Sequence, residues 1–598
     1  MASFFRWRIA DKIIPVLKKT SSYDGLLRPS VVSTFVRVNR SPGQQPQLYI
    51  PLERLTDILP QKDNLMNPKE FVRLLRNQGL PTAEGFIDIT LNESPLSVVF
   101  TVDKHVFSKI ILMDICSNDE IMAKSSCLFQ KVSPKKVIVD CCLPKVGETF
   151  KMAHFRSAIH ANFIANINKT AGHNVTKVTH IQDWSLESAF LLTGFHHFGS
   201  KEKLLQEPSQ HLSEVSKAAI SEYRNNPDFR NEVNHYFKKM KEGDIDIISK
   251  WNYLKNICQK QLDSIYKKID LTFDDVLFDS SYSSEIEEIE RNLLRKKLIV
   301  IQDDGKVKVN INSDYEGIKN TFRENEMNSF LYGLSRAIFS VSYRKKKHDF
   351  DLMYHVAPTS EKNLFSLVHL LLKELGHDWS DHFQHIRLKN ISHFKQNKNV
   401  GAEQVMDRAK IIMLDKLKRD LQMQVDETVE QMAEILSLSS LSIHDMKHRR
   451  NVDYEFSWKD VLSFGQNSGV SLQLCHAGLK GLQEDSDYIF KVEIDTSPLL
   501  EPASQNLIKH LSRFDEMVYK SYVTLEPCII LQYLFSLWYF IDKASNVMKI
   551  DIKEKRLIVL KARLMLYEAT LKTLRRGLYL LGITPYETNY SPPDFVKK

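Results

Sequence analysis

No stretch of the chain reaches about 18 consecutive apolar residues, the length of a membrane-crossing helix, so no span is expected among its 598 residues. The longest candidate, residues 529–541, is too short and reads as a buried helix. Cysteine is sparse and scattered: Cys116, Cys127, Cys141, Cys142, Cys258, Cys475 and Cys528, with no CxxC or CxxxC pair. That spacing fits neither a disulfide framework nor a zinc knuckle, and it implies a reducing compartment. Cys141 and Cys142 follow the apolar run Val137-Ile138-Val139 and read as buried strand thiols. Charge of one sign is not in large excess, since 82 Lys+Arg against 74 Asp+Glu leaves +8. This permits a polyanionic partner such as RNA without requiring one. There is no P-loop, no His-Glu-x-x-His, no nucleophile elbow, no internal repeat and no low-complexity tract.

What is present is ordinary globular material, 43% hydrophobic and 26% charged, enough for roughly three or four domains. At the N-terminus Phe4, Phe5, Trp7, Ile9, Ile13 and Ile14 interleave with Arg6, Arg8, Lys12, Lys18 and Lys19. This segment reads either as an amphipathic mitochondrial presequence or as a first-domain helix containing Pro15. A helix through residues 68–75 precedes the alternating strand 86–91 and the apolar run 98–102. Ser133-Pro134 marks a linker. A buried strand over residues 137–142 then runs through a Pro/Gly loop into a helix from about His154, the opening of a nucleotide-binding α/β unit. Residues 201–300 read as helical and charge-rich. Residues 351–356 read as a second buried strand, followed by a helix from Phe365 to Leu375. From about 403 onward the pattern is almost wholly helical.

Two blocks carry a family resemblance. Phe150-Lys151-Met152-Ala153-His154-Phe155-Arg156-Ser157 resembles the class I aminoacyl-tRNA synthetase signature, His-x-Gly-His followed by Leu-Arg-Ser in arginyl enzymes. His180-Ile181-Gln182-Asp183-Trp184 resembles the Leu-Gly-Asp-Trp segment of the same enzymes, and Leu191 to Phe195 continues that block. Trp251, Tyr266 and Phe273-Asp274 match the family's helical insertion. Tyr454 to Trp458, Leu472 to Ala477, Arg513 to Ser521, Glu526-Pro527, Gln532 to Leu534 and Leu580 to Pro585 resemble the mitochondrial branch of arginyl-tRNA synthetases. The likeness covers about residues 135–585.

The resemblance implies an α/β chain with three domains. Residues 1–130 form a small α+β, tRNA-contacting N-terminal domain. Residues 131–402 form a Rossmann-like catalytic domain with a helical insertion near 201–300, and residues 403–598 an all-α anticodon-binding bundle. It further implies ATP-dependent joining of arginine to tRNA-Arg with Mg²⁺, a monomer, and the mitochondrial matrix. No bound metal or prosthetic group is implied, and His196-His197 read as plain surface or core residues.

Carried over residue by residue, the site departs from the family. His154 keeps the second signature histidine, while Lys151 stands in the first position and Ala153 replaces the glycine. Lysine can still meet phosphate as a point charge. Lys395 and Lys398 fall in the second, lysine-bearing loop, which has lost its glycines. In the substrate pocket Lys145 replaces the Asn of Ser-Pro-Asn, and Glu187 replaces the Gln after Asp183-Trp184. The Tyr-x-x-x-Asp segment reads Gly333 to Ala337; a one-residue slip brings Tyr332 back into place, but none brings an Asp near Arg336. Glu361 opens the segment that should carry a histidine beside adenine. Losing the acid and amide that grip a guanidinium, while adding a cation, predicts arginine binding weaker by roughly three orders of magnitude. Glu187 or Glu361 is the one acid placed to compensate.

The helix carrying Lys553, Lys555, Arg556, Lys561, Arg563, Lys572, Arg575 and Arg576 reads, in an anticodon-binding domain, as a phosphate-contacting face. Lys561, Arg575 and Arg576 are its chosen tRNA-binding residues. Arg344-Lys345-Lys346-Lys347 reads as solvent-facing. The expectation is a tRNA-binding synthetase homologue whose ligase activity is lost or reduced. The alternative is an active arginine–tRNA ligase with a remodelled pocket.

Overall fold

The computed structural model describes residues 2–20, 28–41, 45–56, 67–79, 84–117, 126–302, 306–310, 321–323, 330–392, 400–420, 422–484, 495–548 and 557–587. Lys395 and Lys398 lie outside these residues, as do Lys553, Lys555 and Arg556.

The first layer is α+β. Helix α1 (Ser3–Thr20) is packed as a first-domain helix, with Phe5, Ile9 and Ile13 fully buried. Strands β1 (Arg37–Val38) and β2 (Gln47–Pro51) come next. Helix α2 (Pro68–Asn77) starts where the Asn67 side chain accepts from the Lys69 N–H and Pro68 takes the first turn, the usual N-terminal stop signals. Strands β3 (Phe86–Glu93) and β4 (Leu96–Val102) complete an antiparallel sheet of order β1-β2-β4-β3. Helix α3 (Lys104–Ser117) follows.

The central sheet is parallel. It uses β5 (Lys136–Cys141), then after α4 (Met152–Thr170) β6 (Asn174–Ile181). The helical hairpins α5 (Leu186–Phe198), α6 (Pro208–Asn225), α7 (Pro227–Glu242) and α8 (Ile245–Lys268) intervene before the edge strand β7 (Asp275–Phe278). The segment read as helical to residue 300 is thus interrupted: β7 returns to pair with β6, Val178 opposite Asp275. Four residues with flanking aspartates leave too short an alternation to announce a strand. Helix α9 (Ser283–Arg295) and a small antiparallel sheet of β8 (Ile299–Ile301), β9 (Lys306–Val309) and β10 (Thr321–Arg323) come next. Helix α10 (Phe330–His348), β11 (Leu352–Pro358), α11 (Lys362–Glu374) and β12 (Phe383–Leu388) close the unit. The strand order is β12-β11-β5-β6-β7. Val137, Ile138 and Val139 are each at most 2% exposed, as expected for a strand covered by helices on both faces. The order reverses between β5 and β11, so the crevice beyond their carboxyl ends is where an open parallel sheet takes its ligand. Cys141 ends β5 and is buried, whereas Cys142 lies just past it and is half-buried.

The rest is helical: α12 (Ala402–Asp420), α13 (Glu427–Met446), α14 (Gly469–Glu484), α15 (Pro502–Leu511), α16 (Phe514–Thr524), α17 (Pro527–Val547) and α18 (Leu557–Leu580). Two buried polar joints fasten this bundle to the other layers. Arg6 of α1 donates to Asp515 Oδ2 at 2.5 Å and to Glu516 Oε1 at 2.8 Å. In α4, Arg156 donates to the Lys389 carbonyl at 2.8 Å and lies 3.5 Å from Asp445. Asp445 also meets His160 at 3.0 Å and accepts from the Tyr454 hydroxyl at 2.6 Å. Burial pushes the Asp445 carboxyl up, but Arg156, His160 and Tyr454 together bring it to about 2.

Candidate functional site

The loop from Leu143 to Phe150 carries the β5 chain into α4. Gly147 has φ +80° and packs so closely on Leu191 that a Cβ there would sit 2.5 Å from Leu191 Cδ2, so no other residue fits without repacking. Glu148 ties the loop together. It accepts from the Lys145 N–H at 3.3 Å and from Lys151 Nζ at 2.5 Å. Sequence reasoning passed over Glu148, because only the fold brings it onto both lysines. At the first turn of α4 the Lys151 N–H donates to His154 Nδ1 at 3.1 Å, which leaves the other ring nitrogen to carry the proton of a neutral imidazole. Burial pushes the His154 pKa down, more than the Glu148 carboxylate draws it up. Ala153, between them, is exposed. The helix N-terminus therefore gathers the positive end of its dipole, one lysine held by Glu148 and one buried histidine, a setting that favours an anion.

Beyond the loop lies a cavity of about 430 Å³. Its wall includes Lys145, Trp184, Glu187, Tyr332 and Arg336, four of the expected pocket residues together with the tyrosine recovered by the one-residue slip. Tyr332, Gly333 and Arg336 all face this space from α10. Lys145 Nζ donates to Glu187 Oε2 at 2.8 Å, both side chains about one-third exposed. The Tyr332 hydroxyl donates to the Trp184 carbonyl at 2.8 Å.

Two expected pocket residues are placed elsewhere. Asp183 is fully buried and braces the scaffold: it accepts from the Ser280 N–H at 2.9 Å, from Ser280 Oγ at 2.6 Å and from Lys255 Nζ at 3.0 Å. With its lone pairs so engaged, it joins the end of β6 to α8 and the loop after β7 and does not line the cavity. Glu361 lines a second, smaller cavity of about 70 Å³, which Arg336 also touches.

That smaller cavity sits on a buried charge cluster at the β5/β11 reversal. Asp140 accepts from Arg344 Nη1 at 2.7 Å and lies 2.7 Å from His355 Nδ1. His355 Nε2 is 3.9 Å from Glu361, which accepts from Cys142 Sγ at 3.2 Å. Arg344, expected in solvent, is 2% exposed, because the last turns of α10 carry it over β5. Burial raises Asp140, yet Arg344 and His355 bring it to about 2. Burial lowers His355, yet Asp140 and Glu361 lift it to about 9. A histidine raised on folding stabilises below its ordinary value and loses that contribution as pH climbs through the folded value. His355→Gln is therefore expected to narrow the stability gap to the unsubstituted protein between pH 6.5 and about 9, read as melting temperature against pH. A gap independent of pH across that window would contradict it.

The basic C-terminal helix is not an open face. In α18, Lys572 Nζ donates to the Cys116 carbonyl at 2.7 Å, Arg563 lies 3.5 Å from Glu501 and Arg575 lies 3.6 Å from Glu587. Lys561, Arg575 and Arg576 are all half-buried. The cations partly serve the bundle, since apolar residues on almost every side of α18 leave them little independent surface. On the insertion, His196 and His197 lie on the surface near Glu232, with His197 Nε2 2.8 Å from Glu232 Oε2.

A parallel sheet with its crevice at the β5/β11 reversal, the signature-like turn of α4 and a helical C-terminal bundle define a class I aminoacyl-tRNA synthetase. Residues 118–458 match the family model for class I tRNA synthetases (R), catalytic domain, and residues 472–588 match the DALR anticodon binding domain. The human probable mitochondrial arginine–tRNA ligase is 30% identical over 493 residues, covering 82% of this chain and 84% of that one. The mitochondrial arginine–tRNA ligase of Saccharomyces cerevisiae is 26% identical over 466 residues, covering 76% and 72%. The Thermus thermophilus arginyl-tRNA synthetase structure shares the fold with a TM-score of 0.72, 16% identity and 97% and 99% coverage. The chain belongs to the arginyl-tRNA synthetase family, as a homologue of the mitochondrial type.

Proposed function

We propose that this homologue is a tRNA-binding protein of the mitochondrial matrix, a monomer docking tRNA-Arg, in which arginine ligation is lost or strongly reduced. The observation that carries the reading is the ion pair of Lys145 with Glu187 at 2.8 Å in a cavity that also holds Arg336. An incoming guanidinium meets Glu187 already paired with Lys145, Glu287 already paired with Lys241, and a further guanidinium, Arg336, in the same space. Like charges held that close together repel. The tRNA-facing role is assigned to residues 1–130 and 403–598, with Lys561, Arg575 and Arg576 as phosphate contacts.

The second reading, an active arginine–tRNA ligase with a remodelled pocket, draws on His154 and on Glu187, which would meet a guanidinium if Lys145 swung away. The family reaction uses ATP and Mg²⁺. Lys151 and His154 at the α4 N-terminus, with Lys395 and Lys398, are the residues that would meet the triphosphate, and the magnesium ion would travel with it. Aminoacylation of mitochondrial tRNA-Arg by purified protein with ATP, arginine and Mg²⁺ separates the two. Tight tRNA binding without turnover supports the first reading. Turnover that disappears in His154→Ala establishes the second.

A further inference from the structure

We infer that the larger cavity is a site for small carboxylates, gripped by Arg336. This deepens the reading above and rests on the same cavity. The lining carboxylates are already engaged within the chain. Glu187 holds Lys145 at 2.8 Å and Glu287 holds Lys241 at 2.7 Å, while Asp279, 1% exposed, lies against the ring of His180, which burial draws towards its neutral form. Glu290 is engaged as well. The lining cations are matched in the same way, with Arg291 on Glu288 at 2.9 Å, except at one position.

Arg336 makes no hydrogen bond and no ion pair among the described residues, although it is half-buried and reaches both cavities. Its guanidinium presents a planar fork of donors, the geometry that binds a carboxylate with two parallel hydrogen bonds. The cavity, at about 430 Å³, lies in the size range of small-molecule sites. Trp184, Phe237 and Leu294 on its wall offer apolar surface to a short methylene chain. The cavity therefore holds one anion-binding group that is unpaired among the described residues, while Glu187 and Glu287 already carry lysine partners.

Two matched probes test this with the full chain: glutarate, carboxylates without a cation, and agmatine, a guanidinium without a carboxylate. Calorimetric titration at constant ionic strength is expected to show glutarate binding and no agmatine binding. Arg336→Gln should weaken glutarate tenfold or more, and Arg336→Asp should in addition admit agmatine. The inference is overturned if glutarate gives no heat at millimolar concentration, if agmatine binds the unsubstituted protein as tightly as glutarate, or if glutarate affinity is unchanged in Arg336→Gln. Arginine-dependent ATP–pyrophosphate exchange is measured in parallel. Exchange together with Arg336-dependent glutarate binding refutes the loss of ligation and keeps the carboxylate site. No exchange and no glutarate binding refutes the site alone.

Discussion

Replacing Arg6 by Ala is expected to lower the stability of the full chain by about 3–5 kcal/mol, the range for stranding buried charge. Arg6 is fully buried, and its partners Asp515 and Glu516 are 1% and 6% exposed at their side chains. Burial lowers the Arg6 pKa, but the two carboxylates outweigh it and hold the guanidinium charged. The arginine's removal leaves two buried carboxylates close together, with Arg513, 4.0 Å from Glu516, too far to replace the lost bonds. Ser126 Oγ and the Val38 N–H still donate to them, at 3.0 Å each, but neutral donors do not offset two charges. Domains are stable by about 5–15 kcal/mol in all, so the variant should melt markedly lower and expose the α1 seam to protease. Arg6→Met combined with Asp515→Asn and Glu516→Gln removes the three charges of the joint, keeps acceptors for Ser126 and Val38, and should recover much of the loss, short of the Arg513 contact with Glu516. A melting temperature for Arg6→Ala equal to that of the unsubstituted chain would refute the joint.

Asp445→Ala is expected to cost a similar amount, about 3–5 kcal/mol, because Arg156 and His160, 2% and 0% exposed, lose a counter-charge and a hydrogen-bond partner respectively. Asp445→Asn should cost less, since the amide still accepts from Tyr454. The pH dependence gives a second check. A carboxylate lowered on folding stabilises above its ordinary value and loses that contribution as pH falls through the folded value. The difference between the unsubstituted chain and Asp445→Asn should be constant near neutrality and shrink from pH 3.8 towards about 2. Since Arg156 lies on α4, tRNA binding and any nucleotide binding should both weaken in Asp445→Ala if the joint sets the angle between sheet and bundle. Melting unchanged in Asp445→Ala would remove that role.

The elements that sequence reasoning found are those with strong local signals. Val137-Ile138-Val139 announces a strand buried on both faces, and the order of signature-like blocks announces the family. The charge cluster beneath the site was not legible. Asp140 sits inside an apolar run, its partners Arg344 and His355 are some two hundred residues away, and Arg344 heads a run of lysines that looks solvated. Asp183 stands in a legible motif, but its burial against Ser280 and Lys255 was not legible, because a motif does not tell which of its side chains turns inward. The Lys145–Glu187 pair joins two substitutions read separately, 42 positions apart.

The Arg6 joint also has a temporal side. Its two ends are 509 residues apart in sequence, so α1 leaves the ribosome long before its counter-charges exist. Contacts of such separation close late, after the costly loop between them is confined. Until then Arg6 must stay in water, and α1 cannot settle into its final place. The chain's first helix is thus among the last to lock, and a nascent or truncated chain lacking α16 would carry it as an exposed, basic, amphipathic segment.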